Sequence, residues 1–160
     1  MNSKLAAALA DFIANEIQEA KPTWDVKRRL DPRQEIDQTK DAELSFSPGL
    51  VNEGTPAAMQ QPGLPADRIM IRGELELFYR FRWRLIGKTL DEGFDLHVDK
   101  EDWLRQWLES REVLEVDGVT FLFDQAMGSV ELESGRRGTL IFGGRVLFHY
   151  DRKRTKKRPI

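Results

Sequence analysis

A chain of 160 residues, 40% apolar and 32% charged, is long enough to bury one real core. It has no cysteine, which excludes disulfides and thiolate metal sites, and no apolar run near the roughly 20 residues of a membrane helix, so no membrane partner is expected. The net charge of −2 is uneven: residues 151–160 hold six Lys or Arg and one Asp, net +5, which leaves −7 on the other 150.

Residues 3–20 read as a helix. Leu5, Leu9, Phe12, Ile13 and Ile17 recur at helical spacing, with Asp11, Asn15, Glu16 and Glu19 elsewhere. Ser3 is the expected N-cap and Pro22 the stop. The polar residues within this segment argue against a secretory leader, and the lack of cysteine fits cytosolic synthesis. Residues 24–30 read as a strand, ended by Asp31-Pro32-Arg33. A polar turn at 35–41 follows. Residues 42–47 read as a second short strand, with Leu44 and Phe46 on one face and Pro48-Gly49 closing it. Residues 50–67 hold three prolines and two glycines with no periodicity. A loop this long suggests an arm laid across a neighbour, or equally an untethered surface loop.

Residues 68–86 alternate almost without a break. Ile69, Ile71, Leu75, Leu77, Tyr79, Phe81, Trp83 and Leu85 share one parity; Arg72, Glu74, Glu76, Arg80, Arg82 and Arg84 share the other. That is a strand with one apolar and one charged face. At about 60 Å it exceeds the usual strand of roughly 5–6 residues. Either it bends at Gly73 to serve two parts of one sheet, or one end pairs with a neighbouring chain. Residues 87–98 read as a mixed connector. A second helix is expected from Asp99, its N-cap, with Glu101 and Asp102 in the first turn and Trp103, Leu104, Trp107 and Leu108 as the apolar face. Residues 113–116, Asp117-Gly118 and 119–123 form a hairpin signal. A short strand at 130–133, a turn at 134–138 and a last strand at 139–150 follow, with a bulge expected at Gly143-Gly144. The expected fold is α+β: a mostly antiparallel twisted sheet with one unusually long strand, and helices packed on one face. It forms a single domain over 1–150, with a basic tail at 151–160.

The search for chemistry gives little. The two histidines are His97 and His149. His97 stands near Asp99, Glu101 and Asp102, a set able to offer metal ligands, but a helix start explains those acids more simply. His149 is expected opposite the apolar face of the last strand. No catalytic, cofactor-binding or metal-binding residue is assigned, and no enzyme is expected. Glu74 and Glu76 suit cross-strand ion pairs. Arg80, Arg82 and Arg84 stand about 6.6 Å apart on one face and repel one another unless acids or phosphates face them. Tyr79, Phe81 and Trp83 point the other way, so bases could not stack beside those arginines, and the acidic body argues against general DNA binding. An acidic protein surface is the expected partner. The interface candidates are Arg80, Arg82 and Arg84, the turn residues Arg136 and Arg137, and the tail residues Arg152, Lys153, Arg154, Lys156, Lys157 and Arg158. The tail has too little apolar surface to offset the entropy of its own ordering.

The helix at 4–20, the stretch Val26-Lys27-Arg28-Arg29-Leu30-Asp31-Pro32-Arg33-Gln34-Glu35, and the run from Asp41 to Ser47-Pro48 together resemble the tail terminators of tailed bacteriophages. The similar pattern is a strand, a Pro-Arg turn, an acidic connection and a strand ending at proline. The segments 68–86, 100–109 and 137–150 can be laid on the family's long strand, helix and final strands. The resemblance implies a non-enzymatic virion protein of the tail or neck, made in the host cytoplasm. It implies a ring, commonly of six copies, that ends tail-tube growth and docks onto the head connector. The implied partners are copies of itself, the tail tube protein and the head-tail connector proteins, with DNA at most as passing cargo and no cofactor. The loop at 50–67 is longer than the pattern, the second helix shorter, and the Asp117-Gly118 hairpin has no clear place in it. Another connector or tail-completion protein, or a non-viral α+β adaptor domain, stays open.

Overall fold

A computed structural model describes residues 2–28, 36–37, 39–54, 70–84, 88–134 and 138–153. Two helices and six strands follow in the order α1 (Asn2–Ala20), β1 (Trp24–Lys27), β2 (Ala42–Glu53), β3 (Met70–Arg84), α2 (Leu90–Ser110), β4 (Val113–Val116), β5 (Val119–Ser134) and β6 (Thr139–Lys153). The strands form one mixed sheet in the order β1-β2-β3-β6-β5-β4. The β1–β2 pair is parallel and the other pairs are antiparallel. This is an α+β fold.

The apolar stripe of α1 is what seats it. Ala6, Leu9, Ala10, Ile13 and Ile17 are all fully buried. The helix opens at Asn2, so Ser3 lies inside it and is not its cap. Its end is stapled to β1 by one side chain. Gln18 donates from Nε2 to the carbonyls of Lys21 (3.1 Å) and Trp24 (2.7 Å), and its Oε1 accepts from the Val26 amide at 3.0 Å. These bonds supply partners for backbone groups of the turn after the helix and of β1.

Strand β3 is central. It pairs with β6 without a register shift, from Met70 opposite Lys153 to Arg84 opposite Thr139. Its odd residues Leu75, Leu77, Tyr79, Phe81 and Trp83 are buried in the core that the helices cover, and Ile71 is buried on the same face, as the alternation requires. The length of β3 is not singular. It has 15 residues, β6 also has 15 and β5 has 16. The described part of β3 is therefore matched within its own chain, and the expectation that its length must carry it out of the domain loses its basis. Residues 68–69 and 85–86 of the expected strand lie outside the described residues.

Two other expectations change. Strand β2 does not stop at Pro48-Gly49; it continues to Glu53 with one extra residue between Pro48 and Val51. Past Ser45 the far side of β2 has no strand neighbour among the described residues, and an edge strand is where proline is tolerated. The rest of the expected loop from 55 onward lies outside the described residues. The bulge expected in β6 at Gly143-Gly144 lies instead in its partner. Between Phe123 and Gln125, Met127 and Val130, and Glu131 and Glu133, β5 advances one residue more than β6. Extra residues in β2 and β5, with none between β3 and β6, increase twist on both flanks of the sheet. The sheet curls far enough that β1 and β4, at its opposite borders, both touch α1.

The glycines have a different task. Gly144 faces Tyr79 across the ladder and Gly73 faces Tyr150. Each tyrosine ring lies over its glycine, in the space a Cβ would need.

Helix α2 starts nine residues before the expected Asp99. Thr89 is its N-cap, its hydroxyl accepting from the Glu92 amide at 3.3 Å, with Asp91 and Glu92 in the first turn. Gly93, His97, Leu104, Trp107 and Leu108 form its buried face. Phe94 and His97 pack on Phe142, which places α2 on the same side of the sheet as α1. The hairpin between β4 and β5 is as expected. Asp117 and Gly118 have φ of 52° and 76°, the two positive values a type I′ turn demands.

Candidate functional site

The face of the sheet turned away from the helices carries the charge expected of it. Cross-strand pairs account for much of that charge. Arg72 pairs with Asp151 at 3.4 Å and Arg145 with Glu76 at 3.3 Å. His149 stands between Asp124 (3.1 Å) and Glu74 (3.8 Å).

The three arginines of β3 do not behave alike. Arg80 and Arg84 are exposed and make no ion pair with a described residue. Arg82 is only 4% exposed and holds Glu43, its direct ladder partner, at 2.8 Å. Lys27 adds a second cation 3.7 Å from the same carboxylate. Arg82 is thus committed within its own chain and is withdrawn as an interface residue. The repulsion that motivated it is answered by Glu43, 39 residues away in sequence.

The supposed tail begins as structure. Residues 151–153 are the last residues of β6. Arg152 grips Glu53 through two bonds, Nε at 2.7 Å and Nη2 at 2.9 Å, and the Tyr150 hydroxyl donates to the same carboxylate at 2.9 Å. The Arg152 hydrogen bonds hold the Glu53 carboxyl below the usual range. Burial, then the Glu53 bond and charge, push the Tyr150 phenol up. The domain therefore extends past 150, because β3 begins at Met70 and offers ladder partners to residues 151–153. Lys153 ends β6. Arg136, Arg137, Arg154, Lys156, Lys157 and Arg158 lie outside the described residues.

A polar network missed in the sequence joins α2 to β3. The Tyr79 hydroxyl donates to Glu101 at 3.0 Å; the Met127 carbonyl is a more distant second acceptor at 3.3 Å. His97 Nε2 lies 3.3 Å from the same Glu101 oxygen. Trp83 Nε1 donates to His97 Nδ1 at 3.2 Å. An indole can only donate, so Nδ1 accepts and the proton of a neutral ring sits on Nε2, facing Glu101. Burial, then the Glu101 charge, push the Tyr79 phenol up. These residue types can move protons, yet the imidazole is 4% exposed and stacked on Phe142 at 3.8 Å. The arrangement bolts helix to sheet rather than presenting a base to a substrate. His97 is a helix residue, not a connector residue. Asp99 and Asp102 do not join it, and among the described residues no group of three or more His, Cys, Asp or Glu is placed to hold a metal.

The remaining exposed features are edges. Among the described residues β2 is unpaired on its outer side past Ser45, and β5 on its outer side past Phe123. These edges lie on opposite borders of the sheet. Leu50, 77% exposed, sits on the first. Val113 and Leu122, ladder partners across β4 and β5, are exposed near the second, and Phe78 stands on the open face. No family model matches this chain, and no curated protein matches it.

Proposed function

We propose that this chain is a ring-forming structural subunit of a phage tail or neck, a tail terminator that caps the tail tube and joins it to the head connector. The observation that supports a ring is the pair of open edges on opposite borders of one curled sheet. An unpaired edge is a template for another strand. Two different edges, one on each side, favour head-to-tail contacts, and head-to-tail contacts close into rings when the rotation per copy allows it. Pro48 and the bulges of β2 and β5 interrupt both edges, which limits pairing to a narrow choice of register. The terminator assignment itself comes from the resemblance in residues 4–48. In this reading Arg80 and Arg84 face carboxylates of an adjoining ring or of the tube.

The test is the mass of the purified chain in solution, measured by light scattering across a range of concentration. The expected result is one closed multiple of the 18.5 kDa protomer, lost in Leu50→Lys without a change in melting temperature. A strictly monomeric wild-type chain, or an oligomer that ignores both edges, overturns the reading.

A further inference from the structure

A cleft of about 340 Å³ lies where the first turns of α2 pass the end of β3 and the start of β2. Its size falls at the lower end of small-ligand sites, roughly 300–1,000 Å³. Four cations line it: Lys40, Arg84, Lys88 and Lys100. They come from three segments, with Arg84 and Lys88 in the same one, so the fold brings Lys40 and Lys100 to that pair. Arg82 also lines the cleft but is held by Glu43.

The four have weak internal commitments. Arg84 and Lys88 are exposed and form no ion pair with a described residue. Lys40 reaches the Pro22 carbonyl at 3.5 Å, and its charge also acts on Asp37. Lys100 lies 5.8 Å from the centre of the Trp24 ring. Two acids share the lining, Asp37 and Asp41. Asp37 is turned into its own bend, its Oδ1 accepting from the Thr39 amide (2.9 Å) and hydroxyl (2.7 Å). Four cations against two acids leave the lining positive in a protein whose net charge is −2. Like charges gathered around a concavity repel one another and raise the local concentration of anions. Buried Gly93 forms part of the wall.

We propose that this cleft binds a small multivalent anion, of the diphosphate or tricarboxylate kind. Arg84, Lys88, Lys40 and Lys100 share the hold on it. Arginine offers a planar fork to phosphate or carboxylate oxygens, and the lysines act as point charges. The site shares Arg84 with the ring reading, but it is built within one copy of the chain, so anion binding by the isolated chain tests it apart from assembly.

The experiment is calorimetric titration of the full chain with pyrophosphate, and separately with citrate, at low and at moderate salt. Saturable binding of one anion per chain is expected. It should weaken about tenfold or more in Arg84→Gln/Lys88→Gln, and again in Lys40→Gln. Arg72→Gln, an equally exposed change outside the cleft, should leave it unaltered. Preference for pyrophosphate over citrate, or the reverse, identifies the anion class. The exposed substitutions leave the fold intact, which a thermal melt of each variant checks. Absence of saturable binding at low salt overturns the proposal, as does equal weakening in Arg72→Gln. Loss of self-association in the cleft variants, with no anion bound, would assign the cleft to contacts between copies and also overturn it.

Discussion

The two faces of β3 are made by one alternation, yet they are held by different physics. On the inner face Leu75, Leu77, Tyr79, Phe81 and Trp83 are buried; for Leu75, Leu77 and Phe81 any apolar neighbour of suitable shape would serve, while Tyr79 and Trp83 also bond Glu101 and His97. On the outer face Arg80, Arg82 and Arg84 have the same spacing and charge, but only Arg82 is buried. The difference is not in β3. It lies in β2, which sets Glu43 opposite Arg82 and the neutral Ser45 opposite Arg80. Alternation assigns a residue to a face; register decides what it meets there.

The sharpest way to break the comparison is to remove the carboxylate that makes Arg82 exceptional. Glu43→Ala takes the charge partner from a buried guanidinium and should cost about 3 kcal/mol, because a broken buried pair is far worse than none. Replacing Glu43 and Arg82 together by Leu and Met should recover most of that loss. Urea unfolding of the three variants measures it. If Glu43→Ala is as stable as the wild type, the pair does not distinguish Arg82 from its neighbours.

The inner face has its own exception at the two glycines. Gly144→Val should cost about 2 kcal/mol through overpacking, since the Tyr79 ring already fills that space. Gly73→Val should behave alike against Tyr150. In a Tyr79→Leu background the cost of Gly144→Val should shrink, and a double-mutant cycle reads the coupling. Equal costs in both backgrounds would mean that the ring is not what excludes a side chain.

These features divide what was legible in the sequence from what was not. The face assignments of β3, the stripe of α1 and the Asp117-Gly118 turn depend on neighbours in sequence, and they were readable. The start of helix α2 at Leu90 is not legible because Gly93 and Val98 are poor helix formers, and His97, which the sequence places in a connector, occupies the buried stripe. Strand β2 was cut at Pro48 because its edge position, which makes proline acceptable, is a property of the sheet. Glu43, Glu53 and Glu101 gave no sign of their roles. Their partners Arg82, Arg152 and Tyr79 are 39, 99 and 22 residues away, and only the assembled sheet and helix bring them together.

Titration offers a gentler probe of the inner face. The folded Glu53 carboxyl lies below its unfolded value of 4.5, so its contribution to stability is present above pH 4.5 and is lost as pH falls through the folded value. Glu53→Gln should flatten the acid limb of the stability curve. The two tyrosines of the chain, Tyr79 and Tyr150, are both raised above 10.0. Their contribution is present below pH 10 and is lost as pH rises through the folded values. Phenolate absorbance should therefore appear together with alkaline unfolding; a normal titration with the fold intact would contradict the buried hydrogen bonds.

The smallest effect on folding is expected on the outer face. Arg80→Glu and Arg84→Glu should each change stability by less than about 0.5 kcal/mol, as exposed substitutions do. Under the tail-terminator proposal they should together still impair joining to a tube or neighbouring ring, read in assembly of complete particles. Normal assembly by the double variant would remove these arginines from the interface.

The central claim is that one edge of the sheet meets the other edge of the next copy. The chain has no cysteine, so single introduced thiols report unambiguously. Leu50→Cys marks the β2 edge and Asp124→Cys the β5 edge. With a short bis-maleimide, each single variant should stay uncrosslinked, because like edges do not meet. The double variant should give a ladder of covalent multimers ending at one closed ring. A double variant that remains monomeric, or a Leu50→Cys single variant that dimerises as readily, would contradict head-to-tail pairing of the two edges.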